Sequence, residues 1–168
     1  AVSENGIAGI VAHMSTVEVR GSLIAGNKEG MQLVASQALV ENTTFLGSAF
    51  HDLSLDQGSV ARLRLSQQEG MRKFVDAASR VDVEGILAVA VTDAHGSPVA
   101  GAHVLVEDNA NGTYRASAAT GGEVFAPGLV LTERTFRLSG TTDFNPYGII
   151  AEAHGLTAVG DAWVRGST

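Results

Sequence analysis

The chain has 168 residues, a formal net charge of −7, and two lysines, Lys28 and Lys73, among 11 basic residues. With 45% hydrophobic and 17% charged residues it reads as globular, and without a basic cluster it lacks the electrostatic footprint of a nucleic-acid binder or a polybasic membrane anchor. Apolar runs such as "GILAVAV" from Gly85 are too short to cross a bilayer, and zero cysteine excludes disulfides, thiolate metal sites and cysteine nucleophiles.

In chain order, "STVEVRGSLI" from Ser15 reads as a strand, and "GNKEGMQLVASQAL" from Gly26 follows it. There Met31, Val34, Ala35, Ala38 and Leu39 fall at i, i+3, i+4, i+7 and i+8, which predicts an amphipathic helix with Asn27 as its cap. "TTFLGSAFHDLSL" from Thr43 reads as a strand ending at the turn "DQGS", and "SVARLRL" from Ser59 as another. A second helix is predicted from Ser66, where Ser66 and Glu69 make a capping box and Met71, Phe74, Val75 and Ala78 repeat the stripe. The Glu-Gly-Met of Glu29 thus recurs at Glu69 within comparable surroundings; the glutamates read as first-turn charges, and Gly30 and Gly70 as points where a neighbouring strand comes close. "VEGILAVAVTD" from Val83 closes a strand, helix, strand, strand, helix, strand order.

That order predicts an α+β fold whose N-terminal half, residues 1–85, is a ferredoxin-like split β-α-β region. Beyond Asp93 the helical rhythm stops, and strands are predicted at Ala102–Glu107, Thr113–Ala118, Arg134–Ser139, Gly148–Ala153 and Ala158–Val164. Turns of Gly, Pro and Asn separate them, so residues 86–168 read as an antiparallel β-sandwich-like region. If "ILAVAVTD" serves both halves, the two form one continuous domain.

The elements "TDAHGSPVAGAHV", "NGTYRASAATGG" and "APGL", within Val91 to Leu129, resemble the carboxypeptidase regulatory-like, prealbumin-type β-sandwich modules. The Gly-Tyr pair that usually follows the Pro-Gly corner is replaced here by "LTERTF". The resemblance implies a non-catalytic, largely extracytoplasmic module for spacing, adhesion or binding, with no catalytic residue to carry over. "VEVRGSLIAG" from Val17 is similar, over a few residues, to the opening of bacterial microcompartment shell domains, which assemble.

Candidate chemistry is sparse. His95 and His103 with Asp93 could ligate a metal, but a turn histidine beside Gly96 is the plainer reading. His51, Asp52 and Asp56 offer donors around a turn, and "EDNANGT" from Glu107 has the flavour of a calcium loop without its terminal glutamate; turn chemistry explains both. Glu29 and Glu69 could pair as acid and base if the two helices packed side by side. Phe136, Phe144, Tyr147 and Trp163 would line a binding surface or fill a core. No phosphate loop, nucleophile elbow or HExxH is present.

No catalytic, cofactor-binding or metal residue is therefore assigned, and no cofactor is expected. The expected function is a non-enzymatic, exported structural or interaction protein, self-assembling at a cell surface or outside the cell. The starting Ala1, as left by signal cleavage, supports an extracytoplasmic location. Partners are expected to be copies of the chain or other proteins, without nucleic acid or membrane insertion. Two alternatives stand beside it: an extracytoplasmic PAS- or Cache-like sensor built on "GILAVAVTDAHGSPVAG", and a small α+β enzyme using His51, Asp52, His95 and Glu69.

Overall fold

A computed structural model describes residues 1–66 and 70–166. Among them every regular element is a strand, so the α+β, ferredoxin-like expectation is overturned: the chain is all-β. The stretch from Asn27 to Leu39 holds β-strands, and so does the part of the second predicted helix that is described.

The chain divides into two compact units. The first comprises Ala1–Glu84, Arg134–Thr142 and Arg165–Thr168; the second comprises Gly85–Glu133 and Asp143–Val164.

The first unit winds as a β-solenoid of stacked coils. Strands β1 (Val2–Ser3), β2 (Ala8–His13) and β3 (Thr16–Arg20) form the first coil. Next come β4 (Leu23–Ala25), β5 (Glu29–Val34) and β6 (Gln37–Glu41), then β7 (Thr44–Leu46), β8 (His51–Asp56) and β9 (Val60–Arg64). β10 (Lys73–Val75) and the start of β11 (Arg80–Ala90) follow. Strands pair in parallel with the strand one coil on, as in β3 to β6 to β9, where Val17 opposes Ala38 and Ala38 opposes Ala61. The three faces stack as β1-β4-β7, β2-β5-β8-β10 and β3-β6-β9-β11, the last extended by β14 (Glu123–Arg137) and β15 (Gly140–Asp143).

Strand periodicity dictates the core. Ile10, Met31 and Leu53 form one inward column; Ala12, Leu33 and Leu55 form the next. Val19, Val40, Leu63 and Val83 stack along the adjacent face, and Ile24 and Phe45 line the third. This geometry explains the misread stripe. Met31 and Leu33 point inward along β5, Ala35 (φ 49°) and Ser36 turn the corner, and Ala38 and Val40 point inward along β6. The corner shifts the inward positions from odd to even, so two period-2 strands imitate a period of 3.6. Glu-Gly-Met is also out of register, because Met31 stacks on Leu53 and Leu53 on Lys73, not on Met71.

Each corner couples a positive-φ residue to a polar one, which is buried at Asn27, Ser36, Thr43, Ser59 and Ser66. Met14-Ser15, Ala35-Ser36 and Gly58-Ser59 mark one corner; Gly21-Ser22, Asn42-Thr43 and Leu65-Ser66 the second; Glu4-Asn5 and Gly26-Asn27 the third. The polar side chains form ladders that satisfy buried amides. Ser36 Oγ accepts from Ser15 N (3.1 Å), Ser59 Oγ from Ser36 N (3.0 Å) and Ser79 Oγ from Ser59 N (2.9 Å). Ser66 Oγ accepts from Thr43 N at 3.1 Å, and so serves the solenoid rather than capping a helix. Asn27 Oδ1 accepts from Asn5 N and Nδ2 in the same way. Gly30 lies against the Asp52 backbone, where a Cβ would be 3.1 Å from Asp52 Cα and would collide with its carbonyl oxygen. The close approach expected of this glycine is present, between strands.

In the second unit, β12 (His103–Glu107), β13 (Thr113–Ser117), β16 (Tyr147–Ala153) and β17 (Leu156–Ala162) make an antiparallel sheet in the order β13-β12-β16-β17. β14 (Glu123–Arg137) and β15 (Gly140–Asp143) are the remaining strands; β11 and β14 each run from one unit into the other. Val104, Val106 and Tyr147 from the sheet pack with Leu87 of β11 and Val124 and Leu131 of β14.

Candidate functional site

A β-edge is a row of backbone donors and acceptors with no partner, so the edges left open indicate where this fold can bind. In the solenoid, β1, β2 and β3 each stand at the end of their sheet's strand order. Ile10 and Val17 pack only partly on the core, and Ile7 (75%), Val11 (59%) and Met14 (74%) are exposed around them.

The opposite end of the same columns is finished differently. Lys73 holds the register position of Met31 and Leu53; its Nζ donates to Met71 O at 3.2 Å and lies 4.7 Å from the centre of the Phe136 ring. Burial strips the ammonium of hydration and lowers its pKa; Asp52 opposes that shift and Arg134 adds to it. A lysine in an inward column is a residue that sheets use to stop edge pairing, and the first coil has no counterpart.

The outer surface of the solenoid carries an alternating charge column, Arg20, Glu41, Arg64 and Glu84 in register. Arg20 Nε lies 3.3 Å from Glu41, and Arg64 lies 3.7 Å from Glu41 and 2.8 Å from Glu84. These pairs hold coil to coil across parallel strands.

In the second unit, β13 and β17 are the sheet edges. β17 is exposed on both faces, with Leu156 at 76% and Val159 at 77%. A cleft of about 450 Å³ on its core-facing side is bordered by Val91, Val99, Ala151, Ala153, Leu156 and Ala158. Ser117, His103 and Glu152 stand opposite one another on three neighbouring strands of the outer face, with Ser117 Oγ 3.2 Å from His103 Nδ1. All three are exposed. Catalysis by such a row would need a preorganised, water-excluding oxyanion site, and an open sheet face does not exclude water.

The residues singled out by sequence separate into structural roles. Asp52 is buried; Oδ1 accepts from Ser48 N (3.3 Å) and Oδ2 from Arg72 N (3.0 Å). His51, its neighbour, points to the other side of β8, 3.3 Å from Glu29 Oε1 and beside the Phe74 ring. Asp56 Oδ1 accepts from Gln57 N. The cavity at Asp52 is lined by Phe45, Leu46, Gly47, Gly70, Met71 and Arg72, with neither His51 nor His95 in its wall.

Asp93 Oδ1 accepts from His95 N and Ser97 N, a closed turn. Asp108 Oδ1 accepts from Ala110 N and Gly112 N, so "EDNANGT" is the turn between β12 and β13. Glu69, and with it the Glu29–Glu69 pair, lies outside the described residues. Among the described residues no group of three His, Asp or Glu is placed to hold a metal ion. Of the aromatics, Tyr147 is fully buried and donates to Thr132 O at 3.0 Å, with its pKa raised by burial. Phe136 belongs to the solenoid unit, Phe144 packs on the second core, and Trp163 is 70% exposed.

Sequence reasoning missed the open edge of β17 and the corner ladders. The available signal was the Ser/Thr spacing: Ser15, Ser36, Ser59 and Ser79 on one corner, Ser22, Thr43 and Ser66 on another. The class defined by these features is an all-β chain with a parallel β-solenoid unit and a unit built on an antiparallel sheet. No family model matches the chain, and neither a curated protein nor a solved structure matches it. The likeness of Val91 to Leu129 to prealbumin-type modules rests on that stretch of sequence alone.

Proposed function

We propose that the chain is a non-enzymatic structural or interaction protein that works as a repeated subunit of an extracytoplasmic assembly. The observation that carries this reading is the difference between the two ends of the solenoid columns. Lys73 and Phe136 finish one end, while β1, β2 and β3 leave the other open with half-buried Ile10 and Val17 facing it. Added backbone pairing at that end supplies affinity, and the inward columns supply register. The second unit, read as a β-sandwich-like module, serves spacing or adhesion, in line with its resemblance over Val91 to Leu129.

Removing residues 1–14 would strip β1 and β2 and bare Ile24, Met31 and Leu33, which are fully buried. A point change is cleaner. Ile10→Lys places an inward lysine on the first coil, where a half-exposed side chain can still reach water. Native mass measurement and electron microscopy should show assemblies for the parent chain and smaller species for Ile10→Lys. Assemblies unchanged by Ile10→Lys, or a parent chain that is monomeric throughout, overturn the proposal.

A further inference from the structure

β17 is a long, smooth edge strand. Its sequence, "LTAVGDA", contains no proline or lysine and one charge, Asp161, so it lacks the usual protections against pairing. The turn before it is formed by His154 (φ 51°) and Gly155 (φ 76°), and Ala153 opposes Leu156 across it. Positive φ at both central residues defines the two-residue type I′ hairpin, whose closing pair exchanges both backbone hydrogen bonds. Alternation along the ladder then directs the backbone groups of Leu156, Ala158, Gly160 and Ala162 to β16. It leaves the N–H and C=O of Thr157, Val159 and Asp161 facing the free edge.

From this we infer that β17 pairs with β17 of a second copy, antiparallel, about a two-fold axis through Val159. Val159 is the middle residue of the strand, so this register alone pairs all seven residues. It also matches them. Val159 opposes itself, and Thr157 opposes Asp161, so the single charge meets a hydroxyl rather than another carboxylate. On the core-facing side Leu156 opposes Ala162 and Ala158 opposes Gly160, large against small. The free donors and acceptors fall on hydrogen-bonded pairs: Val159 with its copy, and Thr157 with Asp161 on either side. Two four-stranded sheets would join into one, and the cleft under Leu156 and Ala158 would gain a neighbouring strand. A foreign peptide has no such built-in match. The inference rests on the reading that the chain associates with itself, and specifies one contact.

The chain has no cysteine, so one introduced residue reports the contact. Hydrogen-bonded antiparallel pairs bring Cα atoms to about 5.5 Å, within disulfide reach. Full-length Val159→Cys should crosslink to a dimer under mild oxidation, and Thr113→Cys on β13, the other edge, should not. Val159→Pro removes an N–H that the monomer does not use, so circular dichroism should be unchanged while the dimer dissociation constant rises about tenfold or more. The one tryptophan, Trp163, sits just past the strand and should shift to the blue as the parent chain dimerises. A parent chain that stays monomeric sinks both this inference and the proposed function. An oligomer in which Val159→Cys stays uncrosslinked, or Thr113→Cys crosslinks instead, sinks this inference alone.

Discussion

Ser59→Ala tests the corner ladder most directly. Ser59 is fully buried; its Oγ accepts from Ser36 N at 3.0 Å and donates to Asp56 O at 2.6 Å. Alanine leaves Asp56 O with a remaining donor, Ala35 N at 3.1 Å, so that acceptor loses little. Ser36 N loses its partner inside the core, which costs about 1–3 kcal/mol, and the lost hydroxyl bond adds about 0.5–1 kcal/mol. The expected total is about 1.5–4 kcal/mol.

Ser36→Ala is the matched control. It removes the acceptor for Ser15 N and a bond to Val34 O, which still accepts from Met14 N at 2.9 Å. Ser15 is exposed on the first coil, so water can replace the lost acceptor, and about 1 kcal/mol is expected. Urea unfolding resolves the difference, with the two compact units fitted as separate transitions. Native-state hydrogen exchange at Ser36 N should show lost protection in Ser59→Ala. A Ser36→Ala loss equal to or larger than that of Ser59→Ala would refute the ladder as an energetic device.

Three further outcomes follow from the same geometry. Gly30→Ala drives a Cβ into the Asp52 backbone and should cost about 1–3 kcal/mol or more, whereas Gly160→Ala, with open space around it, should stay within about 0.5 kcal/mol; urea midpoints compare them. Arg64→Glu stacks three like charges in the column with Glu41 and Glu84, whose side chains are 26% and 12% exposed. A loss of about 2–3 kcal/mol at low salt, partly restored by added salt, is expected from thermal melts across ionic strengths. Asp76 accepts from Ser79 N, Gln57 N and Ala78 N; the Ser79 side chain leads in holding its pKa below the usual carboxylate value, and the backbone bonds add to it. A lowered folded pKa stabilises above the unfolded value and is lost as pH falls through the folded one. Asp76→Asn should therefore be less stable than the parent at neutral pH, and the gap should close in strong acid, as read from denaturation at both.

Much of the strand content was legible because period-2 burial shows directly in "STVEVR", "SVARLR" and "VEGILAVAV". The segment around Met31 was not, since its corner residues Ala35 and Ser36 shift the phase and leave a helical spacing. Corner glycines such as Gly21 and Gly26 read as ordinary turns; their place in a coil shows only when steps of 21 to 23 residues are laid side by side, as in Val17 to Ala38 to Ala61. Buried Ser66 reads as a helix cap, and Ser36 and Ser59 draw no reading, because a hydroxyl's partner one coil away is invisible locally.

Sequence alone determined that the chain is apolar enough for a core, holds no run of basic residues and has no cysteine chemistry. It also placed the turn acids Asp93 and Asp108, whose hydrogen bonds are to backbone two to four residues away. Only the tertiary structure decided which alternations stack, because parallel pairing joins residues about twenty apart through backbone groups that every residue shares. It also decided which edges remain open, since an edge is defined by the neighbour a strand lacks.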